Sequence, residues 1–193
     1  MRQVNLVDDQ DKIIGQTSLI DAHRGKGKKH QAVSLFLFHQ KKSGEFELLL
    51  QQRSKEKIVG NLQWANTLCA NLSPSEDHLS CLKRRVWEEL GFKWQNSWSL
   101  EKFMVFDYQV ACENNFSENE IDHLFISILS DNDFKKLQIR PNIEEVFDIA
   151  WENWNMILNQ GVPEKKLTPW FSLFLGNKEI ITKINQFLNL CQK

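Results

Sequence analysis

The stretch SEDHLSCLKRRVWEELG, residues 75–91, limits the fold more than any other part of the chain. Leu79, Leu82, Val86 and Leu90 recur at helical spacing and form one apolar stripe. Ser73 or Ser75 is placed to cap such a helix, Glu76 and Asp77 suit its first turn, and Gly91 stops it. A helix with one apolar face needs an apolar surface to lie on, and the flanking sequence supplies strands. VNLVDD, KIIGQTSL, AVSLFLFH and FELLLQQ precede it, bounded by the turn signals DDQD and KKSGE, while FMVFDYQVA and IDHLFISIL come after it. EEVFDIAWENWNMIL reads as a strand running into a short helix, and Thr168-Pro169 opens a final amphipathic helix. The expected class is α/β (α+β), a mixed β-sheet between helices, in one domain over residues 1–193.

Composition removes several functions. A chain of 193 residues, 41% hydrophobic with a net charge of −1, offers no global electrostatic basis for binding nucleic acid or a membrane. No apolar run approaches the ~20 residues of a bilayer span. The opening MRQVNLVDDQDK lacks the charged-then-apolar layout of a signal peptide, so a cytoplasmic protein is expected. Cys69, Cys81, Cys112 and Cys191 are too irregularly spaced for a zinc knuckle or a disulfide framework. A monomer is expected, since no sequence-local apolar surface demands a partner.

Residues able to do chemistry are scattered. Arg84 and Glu88 lie one turn apart opposite the stripe, and Arg85 and Glu89 lie one turn apart on its flank. By spacing alone these are two ordinary helix ion pairs. In SENEIDH, Glu118 and Glu120 leave one face of an extended segment, which suits shared coordination of a hard cation or one ligand beside one acid. A solvated strand edge would carry the same pattern. His23 and His30 flank the basic loop RGKGKK and match no dedicated zinc motif. Cys69, in WANTLCAN, reads equally as buried filler or as a thiol that reacts. Tyr108 is the one tyrosine, and Trp170 would ordinarily anchor a helix.

Their order along the chain is more specific. Glu76, seven further residues and then Arg84-Arg85-Val86-Trp87-Glu88-Glu89-Leu90-Gly91 resemble the Nudix box. Ala70 stands where that box begins with glycine, and Arg85 stands where hydrolytic members carry glutamate. An arginine there is suited to gripping phosphate with its fork of donors. The His23/His30 pair, LLLQQRS with Lys57 beyond it, WANTLC, RRVWEELG, Tyr108, ENEIDH and LTPW occur in family order. Together they resemble the type 1 isopentenyl-diphosphate isomerases, the Nudix branch that isomerises.

That resemblance implies a Nudix fold and a role in isoprenoid biosynthesis. The implied reaction interconverts isopentenyl and dimethylallyl diphosphate by protonation and deprotonation, with a small prenyl diphosphate as the only partner. Cys69 and Glu120 match the family's catalytic residues, and Tyr108 matches the tyrosine that partners them. Trp170 matches an aromatic whose face can steady a cation, and Trp64 is expected to wall the pocket. Arg53, Lys57 and Arg85 match the diphosphate contacts, and Glu89 a ligand for the Mg²⁺ that accompanies the substrate. His23, His30, Glu118 and Glu120 match four of five ligands for a second ion, Mn²⁺, Mg²⁺ or Zn²⁺, with Asn71 where the family has histidine. Leu19 stands where a lysine near the diphosphate is expected, and residues 60–62 replace an aromatic-Pro-Gly turn. Two alternatives stand beside the isomerase: a pyrophosphohydrolase of a nucleotide or prenyl diphosphate, against which Arg85 counts, and a non-catalytic relative that binds diphosphate, which Asn71 and Leu19 motivate.

Overall fold

A computed structural model describes residues 2–190, so Cys191 lies outside the described residues. The chain opens with the hairpin β1 (Gln3–Val7) and β2 (Ile13–Ser18), followed by a short helix, α1 (Leu19–His23). Strands β3 (His30–Gln40), β4 (Phe46–Arg53), β5 (Trp64–Ala65) and β6 (Leu68–Asn71) lead to helix α2 (His78–Leu90). A second long hairpin, β7 (Glu101–Ala111) and β8 (Ser117–Leu129), ends in helix α3 (Asp131–Lys136). Strand β9 (Val146–Asn153) and helices α4 (Trp154–Gln160), α5 (Pro169–Gly176) and α6 (Lys178–Leu190) complete the described residues.

Strand β3 is the hub. It pairs antiparallel with β1, β4 and β6, and parallel with β8 from His30↔Glu120 to His39↔Leu129. Every residue of β3 from His30 to His39 is buried, which is why it reads as a nearly continuous apolar run. Its alternate residues serve two cores. Phe36 and Phe38 pack with Trp154, Phe171, Phe174, Ile180 and Ile184 from helices α4 to α6. Val33, Leu35 and Leu37 pack with Leu82, Val86 and Leu90 of α2. The expected mixed sheet between helices is therefore present, and burying each α2 aliphatic contributes about 1.5–3 kcal/mol.

Four details of the helices differ from the sequence expectation. Asp77, not Ser73 or Ser75, caps α2, accepting hydrogen bonds from the Leu79 and Ser80 amides. Glu76 therefore lies before the helix, where it accepts from the Ser73 amide and pairs with Arg84 at 2.7 Å. Leu79 is 45% exposed while Cys81 is buried, so the helix is rotated from the stripe its sequence suggests. Thr168 caps the C-terminal helix as expected, but the helix breaks at Asn177, which leaves the helical conformation and caps α6 through its side chain. The segment that reads as the end of a strand in KIIGQTSL turns into α1, because Ser18 caps it by accepting from the Asp21 amide.

Gly91 is required by two independent constraints. Its φ of 71° lies in the left-handed region, and an added Cβ would sit 2.2 Å from the Arg140 carbonyl oxygen. Gly91→Ala is expected to destabilise the fold by more than the roughly 1–3 kcal/mol that the backbone strain alone costs. Denaturant unfolding measures this directly, and a loss below about 0.5 kcal/mol would contradict the tight packing described.

Candidate active site

The site lies where β3, β6 and β8 expose polar residues at one end of the sheet. Helix α1 delivers His23, and the start of β3 delivers His30. His23 Nδ1 donates to the Leu19 carbonyl and His30 Nδ1 to the Lys28 carbonyl, each at 2.7 Å. Since a carbonyl only accepts, both rings present Nε2 inward. His23 Nε2 lies 2.9 Å from Glu118 Oε2, and His30 Nε2 lies 3.3 Å from Glu120 Oε1. One ligand atom from each of the four residues lies within 4.8 Å of all the others. Yet His30 Nε2 and Glu118 Oε2 are buried without completing a hydrogen bond. Burial disfavours the His23 cation, but the Glu118 charge and contact outweigh it and lift the ring to about 9. A proton thus balances carboxylates that a divalent ion would balance better. Two imidazoles and two carboxylates in a dry box fit Mn²⁺ or Zn²⁺ well, and Mg²⁺ less closely. Asn71 Nδ2 donates to Glu120 Oε1 at 2.8 Å, so this amide stands at the rim of the box.

Beside the box sit the thiol and its partners. Cys69 pairs with Ser34 across β6 and β3. Its Sγ donates to Asn66 Oδ1 and accepts from Trp170 Nε1, both at 3.0 Å, and lies 3.3 Å from Ser34 Oγ. Burial, reinforced by the Asp122 charge, pushes the thiol well above its ordinary value, so it rests protonated. Tyr108, opposite Glu120 across β7 and β8, donates its hydroxyl to Glu120 Oε2 at 2.5 Å. Burial opposes the Glu120 charge, but contacts with His30, Tyr108 and His23 hold it below the usual carboxylate range. One protonated group and one anionic group therefore face the same cavity of about 290 Å³.

The cavity's other end is cationic. Arg53 donates Nε to the Val59 carbonyl at 3.0 Å, and its guanidinium lies 5.0 Å over the Trp170 ring. Gly60, with φ of 61°, lets this turn approach; a Cβ there would meet Trp170 at 3.1 Å. Arg85 pairs with Glu88 at 2.7 Å and Glu145 at 3.0 Å, and also with Glu89. Lys57 pairs with Glu145 and lies 3.5 Å from Glu89. Glu89 is fully buried; burial raises its pKa, but Lys57 and Arg85 together bring it below the ordinary value. Arg85 and Glu89, which spacing alone presents as an ordinary pair at the core edge, are thus the centre of a buried network.

Four contributors are not visible in the sequence. Arg2 lines the cavity, donating to the Asn71 carbonyl at 2.8 Å, and none of the described carboxylates forms an ion pair with it. Burial lowers its pKa, as does the nearby Arg85 charge. Glu145 reaches Arg85 and Lys57 from a stretch that reads only as a strand start. Ser34 and Asp122 form a chain to the thiol, with Ser34 Oγ donating to Asp122 Oδ2 at 2.7 Å. Nothing in local pattern marks these residues, because strand pairing brings them together. One expectation needs correction. Trp64 does not line the cavity; it packs in the core, with the Lys165 ammonium 4.7 Å over its ring. Leu19 does line it, an apolar side chain beside Arg2, whose carbonyl accepts from the Leu19 amide at 2.9 Å.

Known proteins resemble this chain in sequence and in fold. Residues 28–171 match the NUDIX domain family. The chain is 30% identical to the isopentenyl-diphosphate Delta-isomerase of Pectobacterium atrosepticum, over 90% of this chain and 89% of that protein. It is also 30% identical to isopentenyl-diphosphate Delta-isomerase I of Clarkia breweri, over 89% of this chain but only 64% of the longer plant protein. The crystal structure of DR0079 from Deinococcus radiodurans superposes with a TM-score of 0.67, covering 90% of this chain and 97% of that one. The NUDIX domain of Shewanella oneidensis NrtR, complexed with ADP ribose, superposes with a TM-score of 0.57 over 82% and 87%. At 15% and 13% identity these two structures speak for the fold alone.

The Glu145 contacts predict a pH dependence. Burial would raise this carboxyl, but Lys57 and Arg85 bring it from 4.5 down to about 2. A carboxyl depressed on folding stabilises fully above its unfolded value and loses that contribution as pH falls through the folded one. Glu145→Gln should therefore cost about 1–3 kcal/mol at pH 7, and the gap to wild type should narrow from pH 4.5 downward. Urea unfolding of both proteins across that window tests it; a gap independent of pH would exclude the ion-pair origin.

Proposed function

From the premise that the chain belongs to the Nudix family, in its isopentenyl-diphosphate Delta-isomerase branch, we propose that it interconverts isopentenyl and dimethylallyl diphosphate. The observation that carries this reading is the shared cavity of Cys69 and Glu120, one protonated and one anionic. A shift of a double bond by one position needs one proton delivered to carbon and another removed, with no net change. One proton donor and one acceptor held in a dry pocket are the minimum for it. Proton addition to the terminal carbon leaves a tertiary cation, and removal of a proton from the neighbouring methylene closes the new double bond. Glu120, steadied by the Tyr108 hydroxyl, and the adjacent indole of Trp170 provide the electron density that such a cation requires.

The rest of the pocket divides accordingly. Arg53, Lys57 and Arg85 would hold the diphosphate, with Arg2 as a fourth cation at the same end. Glu145 occupies two of these cations, so a diphosphate must share or displace its carboxylate. Glu89 would meet a substrate-borne Mg²⁺ only from beneath this layer. His23, His30, Glu118 and Glu120, with the Asn71 amide, would hold a divalent ion whose charge fixes the Glu120 carboxylate and tunes its basicity. Hydrolysis finds less support, because Arg85 engages both Glu88 and Glu89 and so occupies the helix carboxylates that would carry a catalytic metal.

Incubation with isopentenyl diphosphate, Mg²⁺ and Mn²⁺ in D₂O, with proton NMR of the product, tests the reaction. Wild type should yield deuterated dimethylallyl diphosphate, and Cys69→Ala should lose at least about a hundredfold in rate. A folded, metal-loaded wild type that exchanges nothing would refute the isomerase; undiminished exchange by Cys69→Ala would refute the role of the thiol. Arg2→Ala should raise KM roughly tenfold or more with kcat little changed, as loss of a uniform phosphate contact does. An unchanged KM would remove Arg2 from the binding end.

A further inference from the structure

On the opposite face of the sheet from Glu118 and Glu120, a second cluster of ligating side chains converges. Glu118 and Glu120 alternate with His123 along β8, so the pleat sends the imidazole to the α2 side. There it meets His78, the first residue of α2, with ring centroids 3.6 Å apart. Asp11, in the turn between β1 and β2, places Oδ2 2.8 Å from His123 Nε2. Its other oxygen accepts from Gln31 Nε2 at 2.9 Å, and Gln31 is itself buried on β3. One ligand atom from each of Asp11, His78 and His123 lies within 4.8 Å of the other two.

This trio is incompletely satisfied by protein atoms. His78 Nε2 and His123 Nδ1 are both buried and have no hydrogen-bond partner, and His123 is only 5% exposed. Burial keeps both imidazoles neutral: it brings His78 down to about 4, assisted by its neighbour His123, and it lowers His123 as well. Neutral nitrogens with unused lone pairs are bases in want of a Lewis acid. The Lys102 ammonium is also near enough to disfavour both imidazolium forms. Asp11, held from behind by Gln31, has the arrangement of a ligand oriented by a second partner.

We propose that Asp11, His78 and His123 form a second metal site, selective for a late first-row divalent ion of the zinc type. Two imidazoles and one carboxylate favour zinc, cobalt, nickel or copper over Mg²⁺, which prefers oxygen and water. Such an ion would tie together the β1–β2 turn, the start of α2 and the middle of β8. Since α2 carries Arg85 and Glu89, the tie would moor the helix on which the cationic end of the cavity depends. The three donors would leave further positions to water.

Zinc titration of the chelator-stripped full chain against a chromophoric competitor tests this site independently of any activity. Wild type should take up two equivalents. The double variant His23→Gln/His30→Gln, which disables the first cluster, should retain one, and adding His78→Asn should weaken that remaining equivalent at least tenfold. In the double variant, zinc should also raise Tm, and His78→Asn should abolish the rise. Should the combined variants not fold, His78→Asn or the turn variant Asp11→Asn in the wild-type background should lower the count from two equivalents to one. A double variant that binds no zinc, or zinc uptake unaltered by His78→Asn and Asp11→Asn, would overturn the proposal.

Discussion

The parallel pairing of β3 with β8 is the constraint on which the rest depends. It sets His30 opposite Glu120 and Ser34 opposite Leu124, and it continues for ten residue pairs without a shift. Because strand side chains alternate with period two, the register assigns every residue of both strands to a face. On one face lie Glu118, Glu120 and Asp122, and on the other Ile121, His123 and Phe125. A slip by one residue would bury carboxylates against α2 and turn the aliphatic residues into the cavity. Burial on both faces makes that slip costly, so the large apolar content of β3 protects the geometry of a polar site at its end.

Electrostatics impose the opposite demand. Arg85 and Glu89 are buried at the centre of a network that Lys57 and Glu145 continue toward solvent, and the cost of burying such charges can exceed what their pairing returns. An apolar replacement of similar volume would serve stability at least as well. Retaining the network is intelligible where the charges must meet another charged species. Arg2 sharpens the point, since the charges of Arg85 and Arg84 disfavour its cation, that of Glu89 favours it less, and among the described residues its guanidinium donates to the Asn71 carbonyl. Arg2, Arg53, Lys57 and Arg85 gather at one end of the cavity, so an anion that took the place of Glu145 there would find four cations within one pocket.

Much of this is legible in the sequence. The helix, the strands around it and the mixed sheet emerge from periodicity and turn signals, since the apolar spacing alone decides which elements can bury a face. The candidate residues are legible as a set only through family order, because no local pattern links His23 to Glu120 or Cys69 to Trp170. Hidden from it is whatever pairing alone creates. Asp122 reads as one acid in ENEIDH, yet across the sheet it meets Ser34 and, through it, Cys69. Glu145 and Arg2 come from distant parts of the chain and meet near Arg85 only in the fold. The cap of α2 escapes sequence reasoning for a subtler reason. Ser73, Ser75 and Asp77 all suit an N-cap, and Glu76 decides among them, because its bonds to Ser73 and Arg84 hold the chain non-helical up to Asp77.

Asn71 shows how one substitution can be absorbed by geometry. It lies two residues from Cys69 on β6, so both side chains leave the same face beside β3. Its carbonyl accepts from Arg2, at the cationic end, while its side-chain amide donates to Glu120, beside the His23 and His30 imidazoles. An imidazole there would contribute a stronger donor to a divalent ion but could not donate to Glu120 with that same nitrogen. The amide can do either, presenting Nδ2 to the carboxylate or turning Oδ1 toward an ion. Relative to an imidazole, asparagine at this position would give the proposed ion a weaker ligand while keeping the polar chain from Arg2 to Glu120. The position remains a bridge between the two ends of the cavity, one arm made by the backbone carbonyl of β6 and the other by the side chain.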